Sequence, residues 1–212
     1  MSSVDVSMAV VRRLPRYYRF LTGLARSGVN RISSSEIANQ MGLTASQIRQ
    51  DLNNFGGFGL QGYGYNVPQL ISEIENILSL NSSLKAILIG VGNLGKAIAG
   101  FILSSSKGIN LIGLFDKNHS AISPVEHLEV MSSASLSEFC ITNEPEIAIL
   151  CIPGRSAQRT AEQLKELGIK GFWNFSDSDL HMGEGVYVEN VHLGDSLMTL
   201  GFQVHSFFKN DR

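Results

Sequence analysis

Apolar residues follow two different patterns along this chain. Up to about residue 80 they recur every three or four positions, which predicts amphipathic helices. Beyond that point, short unbroken apolar runs alternate with helical stretches, a pattern typical of buried parallel strands joined by helices. The runs cover 86–89, 109–115 and 146–152. The chain is therefore predicted to be an α/β protein with a helical N-terminal domain and a Rossmann-like C-terminal domain.

The N-terminal pattern predicts a helix over 8–26, kinked at its proline, followed by two short capped helices. Ser33 and Glu36 form an S-x-x-E capping box, and Thr44 and Gln47 form a T-x-x-Q box. Two capped helices joined by Met-Gly-Leu are typical of a helix-turn-helix. Such a motif places the N-terminal residues of its second helix against base edges in the major groove.

The glycine-rich segment 56–65 predicts a tight hairpin, which after a helix-turn-helix is a wing. A flexible linker is the alternative. The segment and its flanks contain four aromatic residues, which a solvated linker would seldom need, so the hairpin is favoured. Arginine can form hydrogen bonds with guanine or with phosphate groups, and glutamine can form them with adenine. The residues that we expect to contact DNA, each of which would also suit a solvated surface, are Arg12, Arg13, Arg16, Ser46, Gln47, Arg49, Gln50 and Tyr63.

Charge is divided unevenly between the two parts. Residues 1–65 contain seven arginines, no lysine and three acids, a net charge of +4, whereas the remainder has ten basic and sixteen acidic residues, a net charge of −6. Positive charge on the first part suits contacts with phosphates. The overall net charge of −2 argues against unspecific coating of nucleic acid.

A Gly-x-Gly-x-x-Gly turn at Gly90, Gly92 and Gly95 follows the first apolar run. In a dinucleotide-binding βαβ unit the first glycine makes the turn, the second admits the pyrophosphate, and the third lets helix and strand pack. The next run ends at Asp116, about twenty residues further on, where an acid bonds the adenosine ribose. This acid favours NAD over NADP, whose 2′-phosphate it would repel, although Lys117 weakens the preference.

The predicted cofactor-binding residues are Gly90, Val91, Gly92, Asn93, Leu94, Gly95, Asp116, Lys117 and Pro153. Cys140 and Cys151 have neither a C-x-x-C nor a zinc spacing, and the five histidines show no metal spacing. We therefore predict no metal, no catalytic residue and no redox role for the thiols. No apolar run reaches the roughly 18 residues of a membrane span, and no signal sequence is evident, so a cytoplasmic protein is expected.

The chain contains, in this order, the segments RLPRYYRFL, SSSEIANQMGLTASQIRQDLNNFG, GYGYNV, GVGNLG, FD, GIKGFWNF and VENV. With these segments it resembles the Rex family of redox-sensing transcriptional repressors nearly end to end. The resemblance implies an N-terminal winged helix-turn-helix domain over 1–82, a Rossmann NAD(H)-binding domain over 83–191, and a C-terminal helix over 192–212 swapped into the partner of a homodimer. It also implies binding of palindromic operator DNA while NADH is scarce and release when NADH binds.

The chain departs from the family pattern at positions that serve the switch. Arg19, Phe101 and His192 match positions of the NADH-dependent closure, but Phe101 stands where tyrosine is usual and His192 where aspartate is usual. Arg19 thereby loses its expected carboxylate partner. Gln50 replaces a lysine usual in the family and removes a phosphate-directed charge. We expect NAD(H) binding to persist while its coupling to DNA release is weakened or altered.

Three alternatives stay open at this point. The C-terminal stripe over 193–207 would also suit a helix packed on its own domain rather than a dimer arm. A sensor of another nucleotide, such as coenzyme A, would use a related fold. A small NAD-dependent dehydrogenase is disfavoured, because no proton-transfer residue is evident and the first eighty or so residues would have no role.

Overall fold

The computed structural model describes residues 7–53, 59–60 and 64–210. The chain divides into two compact units, Met1–Asn81 and Ser82–Arg212. Within the described residues, every helix falls short of the length and apolar character that a membrane span requires. The elements of the first unit are α1 (Met8–Val11), α2 (Leu14–Arg26), β1 (Arg31–Ile32), α3 (Ser34–Met41), α4 (Ala45–Asn53), β2 (Gly59–Leu60), β3 (Gly64–Asn66) and α5 (Val67–Ile77).

The predicted kink at Pro15 is confirmed as a break between α1 and α2. Pro15 occupies the first turn of α2, where its missing N–H has no helical acceptor to lose. The buried stripe of α2 consists of Leu14, Tyr17 and Leu21, whereas Tyr18 is half-buried and Ala25 is exposed.

The helix-turn-helix is confirmed in its local detail. The Ser33 hydroxyl accepts a hydrogen bond from the Glu36 amide at 3.1 Å, and the Glu36 carboxylate accepts one from the Ser33 amide at 2.8 Å. Gly42 ends α3 in the left-handed conformation with φ of 66°. Thr44 caps α4 by accepting from the Gln47 amide at 3.1 Å. The second box is only half formed, because the Gln47 side chain turns toward its own helix.

The strands of the predicted hairpin are present, because β2 pairs antiparallel with β3. Strand β1 pairs antiparallel with the other edge of β3, which gives a three-stranded sheet of order β1-β3-β2. Gly64 in β3 has φ of +70°, and a Cβ there would lie 2.7 Å from the Ile32 carbonyl oxygen. No other residue type fits this close approach of two strands without strain. Tyr63, for which we predicted a DNA contact, lies outside the described residues.

The second unit is a parallel sheet with helices between its strands. Its two 3-10 turns, His119–Ala121 and Ser133–Ser135, flank β6 in sequence. Its other elements are β4 (Leu84–Ile89), α6 (Asn93–Ser105), β5 (Ile109–Asp116), β6 (Val130–Ser132), α7 (Leu136–Asn143), β7 (Ile147–Leu150), α8 (Gly154–Glu166), β8 (Gly171–Asn174), β9 (Tyr187–Asn190) and α9 (Leu193–Asn210).

The strand order is β6-β5-β4-β7-β8-β9, and all five pairings are parallel. From β4 the chain adds β5 and β6 on one side. It then returns to the other side of β4, where it adds β7, β8 and β9. Ligands of such sheets bind at this reversal, outside the carboxyl ends of the strands. Since Ile87, Leu88 and Ile149 are fully buried, the central strands have core on both faces, as their unbroken apolar runs predict.

Candidate nucleotide and nucleic-acid sites

Two of the three motif glycines are required by the fold itself. Gly90 follows β4 with φ of +95°, and a Cβ there would overlap the Cys151 carbonyl beyond β7. A Cβ at Gly95 would overlap the Gly90 carbonyl oxygen. Helix α6 can therefore approach the end of β4 this closely only with glycine at both positions.

Gly92 is different, because a Cβ there would meet nothing within 4 Å. Its φ of −71° suits any residue, so the protein's own packing does not explain the glycine. Gly92 is the N-cap of α6 and lines a cleft. The free N–H groups at a helix N-terminus favour an anion. The open space beside Gly92 therefore fits a phosphate group at the start of α6.

Asp116 ends β5 beside this turn. Its carboxylate accepts hydrogen bonds from the Val91 amide and from the Asn118 amide, each at 2.8 Å. A carboxylate offers about four acceptor sites, so two bonds leave acceptor capacity for a ligand. Asp116 thus ties the glycine turn to β5 and still presents oxygen atoms to the cleft that it lines.

The cleft has a volume of about 440 Å³ and lies where the strand order reverses, at the carboxyl ends of β4 and β7. Five predicted cofactor residues line it, namely Gly90, Gly92, Asp116, Lys117 and Pro153. Of the others, Val91 is buried and contributes its amide to Asp116, Asn93 and Leu94 open α6, and Gly95 packs beneath the turn. Sequence reasoning missed the far wall, which is formed by Ser133, Leu136, Ser156, Thr160 and Gln163.

Cys151 is another residue of the cleft lining, but the chemistry of its thiol is suppressed. Burial raises its pKa to about 12, so the thiol is protonated at neutral pH and is a poor nucleophile. Both cysteines are free. Among residues 7–53, 59–60 and 64–210, no group of three or more His, Cys, Asp or Glu side chains could hold a metal ion.

Apart from Tyr63, the predicted DNA-contacting residues lie in the turn between α1 and α2, in α2 and in α4. Ser46, Arg49 and Gln50 are exposed on α4, and Arg49 Nη1 donates to the Ser34 hydroxyl at 3.2 Å. Arg12 and Arg16 are exposed as well, and Arg16 Nη2 donates to the Met41 carbonyl that closes α3. The DNA contacts themselves stay predictions.

A buried carboxylate engages two of these residues in a way that the sequence did not indicate. Asp51 is 1% exposed and accepts four hydrogen bonds of 2.7 Å: from Arg13 Nε and Nη2, from the Tyr17 hydroxyl, and from Gln47 Nε2. Burial alone would raise the pKa of Asp51, but hydrogen bonds from Arg13, Tyr17 and Gln47 outweigh it and hold the pKa below its usual range. The Arg13 side chain remains 34% exposed.

This cluster changes the interpretation of Arg13. Its guanidinium forms a bidentate ion pair with a carboxylate that could not remain buried without a cation. Its first role is therefore to neutralise Asp51 between α2 and α4. A phosphate contact through the exposed part of the side chain stays a prediction.

The three predicted switch residues have different surroundings. Arg19 is exposed on α2, and Phe101 on α6 is 53% exposed. His192 Nε2 lies 2.8 Å from Asp179 Oδ1 within the second unit. The hydrogen bond with Asp179 raises the pKa of His192. Sequence reasoning missed Asp179 as a partner.

Comparison with known proteins supports this division of the chain. A family model described as "Putative DNA-binding protein N-terminus" matches residues 5–53, and one described as "CoA binding domain" matches residues 81–178. A redox-sensing transcriptional repressor Rex from Caldanaerobacter subterraneus subsp. tengcongensis is 51% identical over 201 residues, 94% of this chain and 90% of the relative. The chain belongs to the Rex family. It is also 49% identical to Rex from Clostridioides difficile, over 93% of this chain and 95% of that one.

Solved structures agree over nearly the whole length. The structure of RSP with β-NAD+ and operator DNA has a TM-score of 0.87 at 49% identity, covering 97% of this chain and 96% of that one. RSP with β-NADH has a TM-score of 0.87 at 46% identity, covering 98% and 99%. The fold class predicted from sequence is thereby confirmed. These relatives are Rex repressors, so the prediction of a regulator rather than an enzyme is also confirmed.

Two glycine variants should separate packing from ligand binding at the turn. Gly92→Ala should unfold at the wild-type temperature, because its Cβ meets nothing, but weaken NADH binding by about ten-fold or more, roughly 1.4 kcal/mol. Gly95→Ala should lower the unfolding temperature, because its Cβ overlaps the Gly90 carbonyl. Calorimetric titration with NADH and thermal unfolding measure the two effects. Wild-type NADH affinity in Gly92→Ala would contradict the assignment of this space to the ligand.

The His192–Asp179 contact predicts a pH response. A raised pKa means that the folded protein favours the protonated ring, so the ion pair is complete below the ordinary His pKa of about 6.5 and is lost as pH rises through the raised value. Asp179→Asn should lower the pKa of His192 in an NMR titration. Glu166→Gln, which alters a helix charge that does not act on His192, is the control. An unchanged pKa in Asp179→Asn would show that the contact does not form in solution.

Proposed function

We propose that this protein is a redox-sensing transcriptional repressor. It binds palindromic operator DNA as a homodimer through its first unit and binds NADH or NAD+ at the glycine turn of its second unit. The observation that carries the proposal is the end-to-end likeness to RSP, whose structures contain β-NAD+ with operator DNA and β-NADH. It acts through binding and transfers no hydride.

The cofactor site is assigned to the residues around Gly92 and Asp116. The pyrophosphate is placed at the start of α6, where Gly92 leaves open space, and the adenosine ribose at the Asp116 carboxylate. The assigned contacts are Gly90, Val91, Gly92, Asn93, Leu94, Gly95, Asp116, Lys117 and Pro153, of which five line the cleft. NAD contributes a nicotinamide whose charge differs between its two redox forms.

Coenzyme A is a second candidate ligand, because the model described as a CoA binding domain matches residues 81–178. The ribose of coenzyme A carries a 3′-phosphate, and that of NADP a 2′-phosphate. Either phosphate would face the Asp116 carboxylate, and two like charges at close range are unfavourable. The carboxylate at this position therefore favours a ribose with free hydroxyl groups, as in NAD. Thermal-shift comparison of NADH, NADPH and CoA distinguishes the three.

The DNA-contacting surface is assigned to α4 and the arginines of α1–α2. The first 65 residues hold the net positive charge of the chain, and Ser46, Arg49 and Gln50 are exposed on α4. Phosphate contacts supply affinity, and side chains of α4 supply sequence preference. Gln50 contributes no charge to phosphate binding, so affinity relies more strongly on the arginines.

A dimer is supported by the surface of α9. Leu193, Leu197 and Phe207 on the predicted stripe are 60%, 69% and 63% exposed. Phe202, 72% exposed, lies on the other side of the helix at 3.6 residues per turn, so α9 is apolar on two sides. Exposed apolar patches of this kind mark interfaces. A palindromic operator needs two reading heads about 34–36 Å apart, which a second copy provides.

Release of DNA requires NADH to bind the two states of the dimer unequally. Shifting the ratio of the DNA-released to the DNA-binding state from 1:99 to 99:1 requires NADH to bind the released state about 5.5 kcal/mol more tightly in total. The two NADH sites of a dimer share this difference in binding free energy. Arg19, Phe101 and His192 are proposed to take part. Because His192 is held by Asp179 within its own unit and is not a carboxylate, we propose that the NADH response is weaker than in a Rex protein with aspartate there.

Fluorescence anisotropy on a palindromic operator at fixed salt tests this function. We expect tight binding without ligand and with NAD+, and release with NADH. His192→Asp should shift release to lower NADH concentration, because it returns a carboxylate to this position. Fixed salt is needed because phosphate contacts dominate the measured affinity. Binding that ignores NADH in both proteins would contradict redox sensing, and identical release curves would contradict the role of His192.

A single charge on α9 should break the dimer. Leu197→Glu places a carboxylate on the apolar stripe and should give a monomer by analytical ultracentrifugation, with operator affinity at least about ten-fold lower because two half-sites are no longer bound together. Gln203→Glu adds the same charge on the polar side of α9 and should remain dimeric. A dimeric Leu197→Glu would show that α9 does not form the interface.

A further inference from the structure

The hydrogen bonds around Asp51 settle how the amide of Gln47 is turned. A carboxylate only accepts hydrogen bonds, so the group of Gln47 that faces Asp51 is its NH2. Each oxygen of Asp51 already accepts two bonds, one of them from Gln47 to Oδ1. The amide oxygen of Gln47 and its second N–H therefore form no hydrogen bond with the Asp51 carboxylate.

Gln47 also lies where a reading residue is expected. It is the third residue of α4, and the N-terminal residues of a recognition helix contact base edges. Gln47 is half-buried, whereas Ser46, Arg49 and Gln50 are exposed. A side chain already held in one conformation loses less entropy on binding than a mobile one. Gln47 is fixed to the buried cluster by its hydrogen bond to Asp51.

We propose that Asp51 is a positioning residue that holds Gln47 to read an adenine in the major groove. An amide oxygen beside an N–H matches the N6 donor and N7 acceptor of adenine. This inference rests on the proposed DNA-binding function and adds the residue that sets its sequence preference. Arg13 neutralises Asp51, so the carboxylate supports Gln47 without adding net repulsion toward phosphates.

The test is selection of binding sites from randomised duplex DNA by the full-length protein at fixed salt. Four proteins are compared with the wild type: Gln47→Ala, Asp51→Asn, their double variant, and Tyr17→Phe. Gln47→Ala removes only the reading side chain. Asp51→Asn keeps the size of the buried group but replaces an acceptor with a donor. Tyr17→Phe is the matched control, because it removes one bond to Asp51 and leaves the Gln47 contact.

We expect the wild type to prefer an A·T pair at one position of each half-site. Gln47→Ala and Asp51→Asn should lose that preference and bind the selected site about ten-fold more weakly per half-site. In Gln47→Ala the slope of log affinity against log salt should stay the same, because neither a charge nor a phosphate contact is removed. Tyr17→Phe should keep the preference. The double variant should lose no more than Gln47→Ala, since Asp51 acts through Gln47.

Several results would overturn the inference. An unchanged base preference in Gln47→Ala would show that Gln47 does not read DNA, and an unchanged preference in Asp51→Asn would show that Asp51 does not position it. If Asp51→Asn fails to fold, NMR exchange of the Gln47 side-chain amide in the wild type decides. Slower exchange than that of the exposed Gln69 supports the proposal, and equal exchange refutes it.

The same experiment separates this inference from the proposed function. If the wild type enriches no sequence at all while it still binds NADH, the DNA-binding function itself is wrong. If it enriches a palindromic site whose preferences Gln47→Ala leaves intact, the function stands and only the role of Gln47 and Asp51 fails.

Discussion

The close contact between Gly95 and the Gly90 carbonyl is the constraint on which the nucleotide-binding unit depends. It sets how near α6 comes to the end of β4, and the Gly90 amide in turn donates to the Phe115 carbonyl of β5. The Val91 amide adds a second tie to β5 through Asp116. Contacts with α6 and β5 therefore fix the glycine turn before a ligand binds. A ligand at Gly92 would meet a preformed site, so little of its binding free energy would be lost in ordering the turn.

Asp116 and Asp51 show how the number of hydrogen bonds separates binding from positioning. Asp116 accepts two bonds from backbone amides and faces a cleft, so its remaining acceptor sites are available to a ribose. Asp51 accepts four and is 1% exposed, so its effect on any partner must pass through the side chains that it holds. Counting donors around each carboxylate distinguishes a ligand-binding acid from a supporting one.

Local features of the chain were predictable from sequence, and long-range polar contacts were not. The Ser33–Glu36 box and the Gly90–Gly95 turn depend on residues three to five positions apart, where spacing alone carries the information. Tyr17 and Arg13 meet Asp51 across 34 and 38 residues, and no local pattern announces such a pair. Residue type did not indicate this pairing either: Arg13 was assigned only to DNA, and its ion pair with Asp51 became evident only in the fold.

Redox sensing cannot arise at the glycine turn, because NADH and NAD+ share the adenosine and pyrophosphate that Gly92 and Asp116 are suited to bind. Discrimination has to lie further along the carboxyl ends of the strands, toward β8 and β9. A second cleft there is lined by residues that follow these strands, among them Phe175 and His192, and by the first residues of α9. Under the proposed function the nicotinamide binds at this second cleft, and α9, which starts there and carries an exposed apolar surface, would report the redox state of the ligand to a second subunit. The His192–Asp179 contact lies at the start of α9, so the proposed role of His192 concerns how strongly nucleotide binding is coupled to DNA release, and not whether nucleotide binds.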